Sequence, residues 1–150
     1  MSIFREFKGV NYLLNNFSMS IYESFLKTDV LKFNNNYQRN YVWSEKEQQF
    51  FLRYIFSGYP LNNISLMEIN YFNENFFYEV IDGKQRLITL KLFFENKIPL
   101  INKDKKIYFN DLSKHEQFKF KEITIPTIVV SNIDEKSKID FFHQINFNDI

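Results

Sequence analysis

Residues 76–94, FFYEVIDGKQRLITLKLFF, contain the clearest structural pattern in this chain. Phe76 to Ile81 form a short run rich in aromatic and β-branched residues, which is typical of a β-strand. After Asp82 and Gly83 the period changes, because Leu87, Leu90, Lys91 and Phe94 fit the spacing of a helix that turns an apolar stripe toward a sheet. The stretch therefore predicts a strand that passes into a helix within two residues.

The segment before this junction predicts a partner strand. Ile64 to Ile69 has the composition of a strand, and an Asn-rich turn around Asn73 to Asn75 separates it from the run that begins at Phe76. An antiparallel pair is the simplest arrangement of two strands with so short a connection.

Spacing and capping signals predict further helices. Ser20 to Thr28 has apolar residues four apart and leads into an extended segment, Val30 to Phe33. Two S-x-x-E capping boxes mark helix starts, at Ser44 with Glu47 and at Ser113 with Glu116. Gly58 and Pro60 end the first of these two helices.

The C-terminal part of the chain predicts a strand and a last helix. Thr124 to Val130 is a β-branched run, and Pro126 within it predicts an edge or irregular strand because proline donates no ladder hydrogen bond. Asp134 can cap a helix whose apolar residues share one face and which ends near Asn146. The order of elements is mixed, so we predict the α+β class and not a regular βαβ alternation.

The bulk composition limits the classes of protein. A chain of 150 residues with 45% hydrophobic residues can bury one core, so we expect a single domain over residues 1–150. Its 19 basic and 18 acidic residues give a net charge of +1, which provides no global attraction to DNA or an anionic membrane. The chain has no cysteine, and it contains no recognisable signal peptide or membrane span. We therefore expect a cytoplasmic protein without a membrane partner.

Residues 82–86, at the junction of strand and helix, form the candidate chemical site. Backbone N–H groups and the positive end of the helix dipole favour an anion at a helix start, and Gly83 lets the backbone approach a phosphate closely. Arg86 can clamp that anion, and Lys84 can neutralise charge that develops on a transferring phosphoryl group. Asp82 is placed to hold a divalent cation or to orient a water molecule or hydroxyl group for attack.

A purely structural explanation of the same residues is also available. Asp-Gly is a common hairpin turn, and aspartate is a favoured helix N-cap without any ligand. The helical period after Gly83 argues against the hairpin. The capping alternative for Asp82 stays open.

A second polar cluster, YQRNYVW at residues 37–43, precedes the first capped helix. This block, then FSGYPLNNISL, then YEVIDGKQRLITL and finally FFHQIN follow one another in an order that resembles the domain of unknown function 262 family, whose hallmark is a D-G-Q-Q-R box. The resemblance extends from about Ser20 to the end of the chain. Members of that family form the N-terminal part of GmrSD-type modification-dependent restriction enzymes and related phage-defence proteins.

The resemblance implies a ParB/sulfiredoxin-like fold, with a small mixed sheet and packed helices, and a site that binds and hydrolyses a nucleoside triphosphate with Mg²⁺. It implies that the phosphates and the ion face Asp82, Gly83, Gln85 and Arg86, with Asp82 as the metal ligand. Gln38 and Arg39 match the upstream Gln-Arg pair of the family and would line the same pocket. Asn146 matches the asparagine of the family's late F-x-x-x-N segment.

Two departures from the family pattern bear on function. Lys84 replaces the first Gln of the usual box, which retains affinity for phosphate but removes an amide. The restriction enzymes continue into an HNH-type nuclease domain, whereas this chain has only His115 and His143, neither in an HNH-like setting. We therefore expect no nuclease site of that kind here, and an effect on DNA would need a separate nuclease chain.

A lysine-rich stretch is the candidate surface for DNA. Aromatic residues alternate there with the basic ones, which are Lys103, Lys105, Lys106, Lys114, Lys119 and Lys121. Such a lysine run is more often a solvated face. The pattern therefore makes DNA a candidate partner only.

Three hypotheses of function follow. The first is a Mg²⁺-dependent nucleoside triphosphatase or nucleotide-gated switch that acts in phage restriction or DNA metabolism. The second is a non-catalytic module that senses a nucleotide or modified DNA, or a phage-borne decoy that inhibits a related restriction system. The third is phosphotransfer to a small molecule or a nucleotide. The sequence does not distinguish ATP, GTP and CTP, because base specificity depends on the walls of the pocket.

Overall fold

The structure, a computed structural model, describes residues 3, 10–33, 40–70, 76–131 and 135–146. In these ranges the strands are β1 (Tyr12–Ser18), β2 (Leu31–Phe33), β3 (Ile64–Asn70), β4 (Phe76–Asp82), β5 (Leu100–Asn102), β6 (Lys105–Ile107) and β7 (Thr124–Val130). The helices are α1 (Met19–Lys27), α2 (Glu45–Phe56), α3 (Lys84–Phe94), α4 (Lys114–Glu122) and α5 (Glu135–Asn146), with a 3₁₀ turn at Phe109–Asp111. This mixed order confirms the predicted α+β class. The predicted turn at Asn73 to Asn75 and the predicted cap Asp134 lie outside the described residues.

Among the described strands, five form one mixed sheet in the order β1-β7-β3-β4-β2. The antiparallel pairing of β3 with β4 confirms the prediction, and its register shifts between Ser65 and Leu66. β1 pairs antiparallel with β7, whereas β7 pairs parallel with β3 and β2 pairs parallel with β4. β4, which leads into the Asp-Gly junction, therefore lies inside the sheet.

β7 corrects one prediction. Pro126 predicts an edge or irregular strand, but β7 lies between β1 and β3, so the edge alternative is wrong. The physical reason is that β7 extends past the end of β3. Thr127 is the first β7 residue paired with β3, whereas Pro126 pairs with Asn16 of β1. The missing N–H of the proline therefore interrupts no hydrogen bond between β7 and β3.

β1 and the hairpin of β5 with β6 have no clear signal in the sequence. β1 reads YLLNNFS, and its two consecutive asparagines are unfavourable in strands, so its pairing with β7 stabilises it. The hairpin turns at Lys103 and Asp104, whose φ angles are 48° and 66°. Turns with positive φ usually contain glycine, and this one does not. Tertiary pairing and an atypical turn thus explain why both elements were missed.

The main core lies between the sheet and helices α1 to α4. It buries residues from all four helices and the central strands, including Met19, Tyr22, Leu52, Leu66, Val80, Leu90, Phe93 and Phe120. The Tyr22 and Thr127 hydroxyl groups are 2.6 Å apart and hydrogen-bonded, and burial raises the pKa of Tyr22. Both predicted capping boxes are present, and Ser18 caps α1. No helix within the described ranges is both long and apolar enough for a bilayer span.

α5 packs on the opposite face of the sheet. A second apolar cluster there contains Met67, Ile69 and Ile81 from the strands, with Phe141, Phe142 and Ile145 from α5. Within this face the Lys138 Nζ atom lies 3.1 Å from Glu79 Oε2, and the two side chains are only 6% and 9% exposed. Because buried charges require partners, this ion pair fixes the position of α5 on β4.

Candidate functional site

The strand-to-helix junction has the predicted order. β4 ends at Asp82, Gly83 is the N-cap of α3, and Lys84 is the first helical residue. Asp82 is therefore not the cap, and the capping alternative for this carboxylate is wrong. In the part of the chain that the structure describes, the N-cap makes no side-chain hydrogen bond, and the first turn of α3 contains no acidic residue. The backbone N–H groups and the positive dipole end at this helix start suit an anion.

Gly83 has two structural reasons to be glycine. Its φ angle is +126°, a conformation that residues with a side chain rarely adopt. A Cβ atom at this position would lie 2.9 Å from Ile64 Cγ1 and 3.1 Å from Cγ2. The backbone at the start of α3 therefore packs directly on β3, which brings the helix start close to the sheet.

Gln85 holds the segment that precedes α2. Its Oε1 atom accepts a hydrogen bond of 2.9 Å from the Val42 N–H, and its Nε2 atom donates one of 3.0 Å to the Asn40 carbonyl. Both ends of the amide are thus engaged with one stretch of backbone, a task that neither a carboxylate nor an amine can perform. The two sequence blocks that suggested a site are therefore joined through this side chain.

A hydroxyl network strengthens the same contact. The Tyr41 hydroxyl lies 2.9 Å from the Thr89 hydroxyl, and it accepts a hydrogen bond of 2.7 Å from Gln48 Nε2. Thr89 also donates to the Gln85 carbonyl at 2.8 Å. Sequence reasoning missed Thr89 and Gln48, because each resembles an ordinary helical residue until the fold brings them to Tyr41.

Arg86 holds a second segment of the site. Its Nη1 atom donates to the Asn62 carbonyl at 2.7 Å, and its Nη2 atom donates to the Asn63 carbonyl at 3.0 Å. The same Nη2 atom lies 3.6 Å from Asp82 Oδ2, and both side chains are about one-fifth exposed. The sequence predicted a phosphate clamp, whereas the structure gives this guanidinium protein partners that no local pattern indicated.

Lys84 places a cationic side chain in the first turn of α3. It is partly exposed, and partial burial lowers the pKa of its amine below the ordinary value of 10.5. A lowered pKa means that the charged form lacks some of the solvation that it has in water. An anion beside the amine would compensate for that loss.

An open cleft of about 1140 Å³ lies against the junction. Its polar wall is formed by the box residues Asp82, Gly83, Lys84, Gln85 and Arg86. An aromatic wall stands on and before α2, with Trp43, Phe50, Phe51 and Tyr54. The segment Leu61 to Ile64 and the end of α5, with Phe142, Gln144 and Ile145, complete the lining together with Ile81, Ile125 and Ile128.

The remaining predicted site residues have different outcomes. Gln38 and Arg39 lie outside the described residues, but the cleft-lining Trp43 follows them closely. Asn146 is the last residue of α5, and its two preceding neighbours line the cleft. None of the six lysines between residues 103 and 121 lines the cleft, and neither does His115 or His143. Lys121 pairs instead with Glu23 at 3.2 Å.

The fold and the cleft define an α+β domain in which a polar strand-to-helix junction opens onto an aromatic wall. Residues 21–149 match the model of the GmrSD restriction endonuclease N-terminal domain, and this chain belongs to that family. The match confirms the resemblance that the sequence blocks indicated.

Similar structures are more distant. One is the C-terminally truncated chromosome-partitioning protein ParB from Caulobacter crescentus, complexed with CTP-gamma-S. The two chains are 11% identical with a TM-score of 0.48, and the match covers 91% of this chain and 53% of the ParB chain. This chain thus spans about half the length of that one. No curated protein matches the sequence.

Proposed function

We propose that this domain binds a nucleoside triphosphate in the cleft, with the phosphates at the start of α3, and hydrolyses it with the help of Mg²⁺. The observation that carries the proposal is the start of α3, where the N-cap is Gly83 and the helix opens beside Lys84 into a cleft of about 1140 Å³. Backbone N–H groups at such a position bind phosphate, and the space is ample for a nucleotide. Family membership supports the proposal, because the resemblance implies a nucleotide site at this box.

In this proposal Lys84 and Asp82 carry the charges that act on the phosphates. Lys84 would neutralise negative charge as the terminal phosphoryl group is transferred. Asp82 lies in the polar wall and would accept a hydrogen bond from the attacking water. The Arg86 guanidinium, 3.6 Å from Asp82 Oδ2, favours the ionised carboxylate that this role requires.

Asp82 is also the residue that would hold Mg²⁺. In the described ranges there is no group of three or more His, Cys, Asp or Glu side chains that could hold the ion unaided. Mg²⁺ commonly binds one or two protein carboxylates and completes its coordination with water and substrate phosphates, so a single carboxylate fits this mode. The bound ion would supply charge stabilisation to the phosphate oxygens.

We assign Gln85 and Arg86 as positioning residues. Gln85 holds the segment Asn40 to Val42, and Arg86 holds the carbonyl groups of Asn62 and Asn63. Both segments belong to or adjoin the walls of the cleft. The two side chains would therefore act on the nucleotide mainly by keeping these walls at a fixed distance from the start of α3.

In the cell we propose a role in restriction or DNA metabolism, in which nucleotide binding controls a nuclease on a separate chain. DNA would be contacted through the exposed lysines of β6, α4 and the β5–β6 turn, namely Lys103, Lys105, Lys106, Lys114 and Lys119. Lys121 suits this contact least, because its amine is shared between Glu23 and the ring of Phe109.

A second candidate function is nucleotide sensing without turnover. The observation that favours it is that Arg86 and Gln85 hydrogen-bond to backbone groups. Side chains engaged in this way maintain the shape of the cleft and do not act on the phosphates. In that case the nucleotide would change the geometry of the walls, and the readout would be a partner or modified DNA.

The test combines binding and turnover. The single tryptophan of the chain, Trp43, lines the cleft, so its fluorescence reports occupancy directly. Each of the four nucleoside triphosphates is titrated with and without Mg²⁺, and phosphate release is measured in parallel. Lys84→Met and Asp82→Asn are compared with Lys91→Met, which removes an exposed lysine from the far end of α3.

The outcomes separate the two functions. Hydrolysis that Asp82→Asn abolishes and Lys91→Met retains supports the triphosphatase. Binding that Lys84→Met weakens, without phosphate release by any protein, supports the sensor. Unchanged Trp43 fluorescence and no phosphate release with all four nucleotides would overturn both functions.

A further inference from the structure

Three aromatic rings follow one another along α2 and the turn after it, the first two stacked and the last two tilted. The Phe50 and Tyr54 ring centroids are 6.3 Å apart with an interplanar angle of 29°. The Tyr54 and Tyr59 centroids are 5.2 Å apart with an angle of 34°. Phe50 is 72% exposed and Tyr59 is 61% exposed. The stack therefore lies outside the main core and exposes apolar ring surface to solvent.

This exposure is not a demand of folding. Phe51, the next residue along α2, is 7% exposed and packs edge-on against Trp43 at 5.5 Å between centroids. Phe51 thus provides the core packing of this turn of the helix. Phe50 leaves most of its surface in water, which is unfavourable for a phenyl ring. A large exposed aromatic that rims a concave site is typical of ligand contact.

The stack is also held in a defined position. The Tyr54 hydroxyl donates a hydrogen bond of 2.7 Å to the Pro60 carbonyl, which fixes the middle ring. Phe50 lies four residues before Tyr54 on α2, so the two rings are neighbours on one helical face. A ring held in this way needs little ordering when a planar ligand binds.

Phe50 and Tyr54 line the same cleft as Lys84 and Gln85. The cleft therefore has a cationic side at the start of α3 and an aromatic side on α2. A ligand that matches both sides has a polyanionic part joined to a flat, aromatic part. A nucleotide has this composition.

We propose that Phe50 and Tyr54 form the platform on which a nucleobase stacks when its phosphates occupy the start of α3. This assignment rests on the proposed function and adds the base-binding side of the same site. Stacking on an aromatic ring accepts every base, because each base has a π face. We therefore expect the platform to provide affinity and little discrimination among the bases.

The test separates the base from the phosphates. Calorimetry measures the binding of a nucleoside triphosphate and of inorganic triphosphate to the wild type, Phe50→Ala and Phe50→Tyr. Phe118→Ala is the matched control, because Phe118 is 60% exposed but lies on α4 and does not line the cleft. Phe50→Ala should weaken nucleotide binding about tenfold, within the range for the loss of one base–aromatic stack. It should leave inorganic triphosphate binding unchanged, and Phe50→Tyr should restore nucleotide binding.

The failures of the two proposals can be told apart. Nucleotide affinity that stays the same in Phe50→Ala, or falls equally in Phe118→Ala, overturns the platform alone. Wild-type protein that binds neither the nucleotide, nor inorganic triphosphate, nor a single-stranded oligonucleotide overturns the proposed function and the platform together. A single-stranded oligonucleotide serves as a third ligand. If the wild type binds it and Phe50→Ala does not, while neither binds the free nucleotide, the stacked base comes from nucleic acid, and the platform stands without the triphosphatase.

Discussion

At the scale of single residues, the box at the start of α3 divides its tasks between packing and charge. Gly83 lets the backbone pack on Ile64 at a distance that a side chain would not permit. Gln85 and Arg86 form hydrogen bonds with backbone groups of adjacent segments of the fold. Lys84 and Asp82 are the other two charged residues of the box that line the cleft. The residue next to an assigned site residue can therefore have a purely structural role.

Replacement of Gly83 by alanine tests the close packing. Gly83→Ala must both adopt a φ angle of +126° and push against Ile64, whereas Gly58→Ala has a φ angle of +80° with open space around it. We expect Gly83→Ala to lower the free energy of unfolding by about 2 to 3 kcal/mol and Gly58→Ala by about 1 kcal/mol. Urea denaturation measures both. Equal losses would show that the contact with Ile64 contributes nothing.

The pH dependence of nucleotide binding tests the role of Lys84. Because partial burial lowers the pKa of this amine below 10.5, the side chain loses its charge earlier in an alkaline titration than an ordinary lysine. Nucleotide affinity should therefore fall as the pH rises through that lowered pKa. The free energy of unfolding should instead rise over the same pH range, because the cost of burying the charged amine disappears as it loses its proton.

Lys84→Arg provides the comparison, because arginine stays charged throughout this titration. Its affinity should remain constant where the wild type loses about tenfold, the value of one charge-assisted hydrogen bond. If nucleotide affinity depends on pH in the same way in both proteins, Lys84 does not contact the phosphates.

At the scale of elements, β4 organises both halves of the protein because its alternating side chains enter two different clusters. Val80 belongs to the main core beneath α1 to α4, whereas Ile81 belongs to the cluster beneath α5. Glu79 lies on the α5 side and pairs there with Lys138. One strand thus places the helix start at its end and anchors the helix that closes the far side of the cleft.

The Glu79–Lys138 pair should act as a unit. Lys138→Met leaves a buried carboxylate without this partner and should lower the free energy of unfolding by about 3 to 5 kcal/mol. The double variant Glu79→Met with Lys138→Met replaces the pair by apolar side chains and should recover most of that loss. Urea denaturation of both single variants and the double variant gives the coupling free energy. Additive losses would mean that the two charges do not interact.

At the scale of the whole molecule, the cleft is assembled from five parts of the chain that are remote in sequence. They are the segment before α2 with α2 itself, the segment that leads into β3, the end of β4 with the start of α3, the strand β7 and the end of α5. Gln85 contacts residues 43 and 45 positions away, and Arg86 contacts residues 23 and 24 positions away. The shape of the site therefore depends on long-range hydrogen bonds that form only when the domain is folded.

Gln85→Glu tests this assembly. The substitution replaces the amide donor that faces the Asn40 carbonyl with a second oxygen, so it should release the segment that carries Trp43. We expect a loss of about 1 to 3 kcal/mol in the free energy of unfolding and a red shift of Trp43 emission. The control is Gln117→Glu on α4, which breaks a similar bond of 3.0 Å to the carbonyl of Leu112, a residue that precedes that helix. That control should lose stability without any change in emission, and an unchanged emission spectrum in Gln85→Glu would contradict the clamp.

Local physical chemistry made a large part of this protein predictable from its sequence. The passage from β4 to α3, both capping boxes and the antiparallel pair of β3 with β4 depend on residues close together in the chain. Their signals are period, capping and turn chemistry, which act over a few residues. The order of four sequence blocks was enough to indicate the family.

Only the tertiary structure decided the rest. β1 forms because β7 offers it a partner, and Pro126 is tolerated because β7 extends past β3 at that end. Gln85 and Arg86 hold the walls of the cleft through contacts with segments far away in the chain. The aromatic wall of the cleft that Lys84 also lines likewise depends on the tertiary fold. The physical reason is that a side chain's chemistry is contained in its own identity, whereas its partner is determined by the packing of the whole domain.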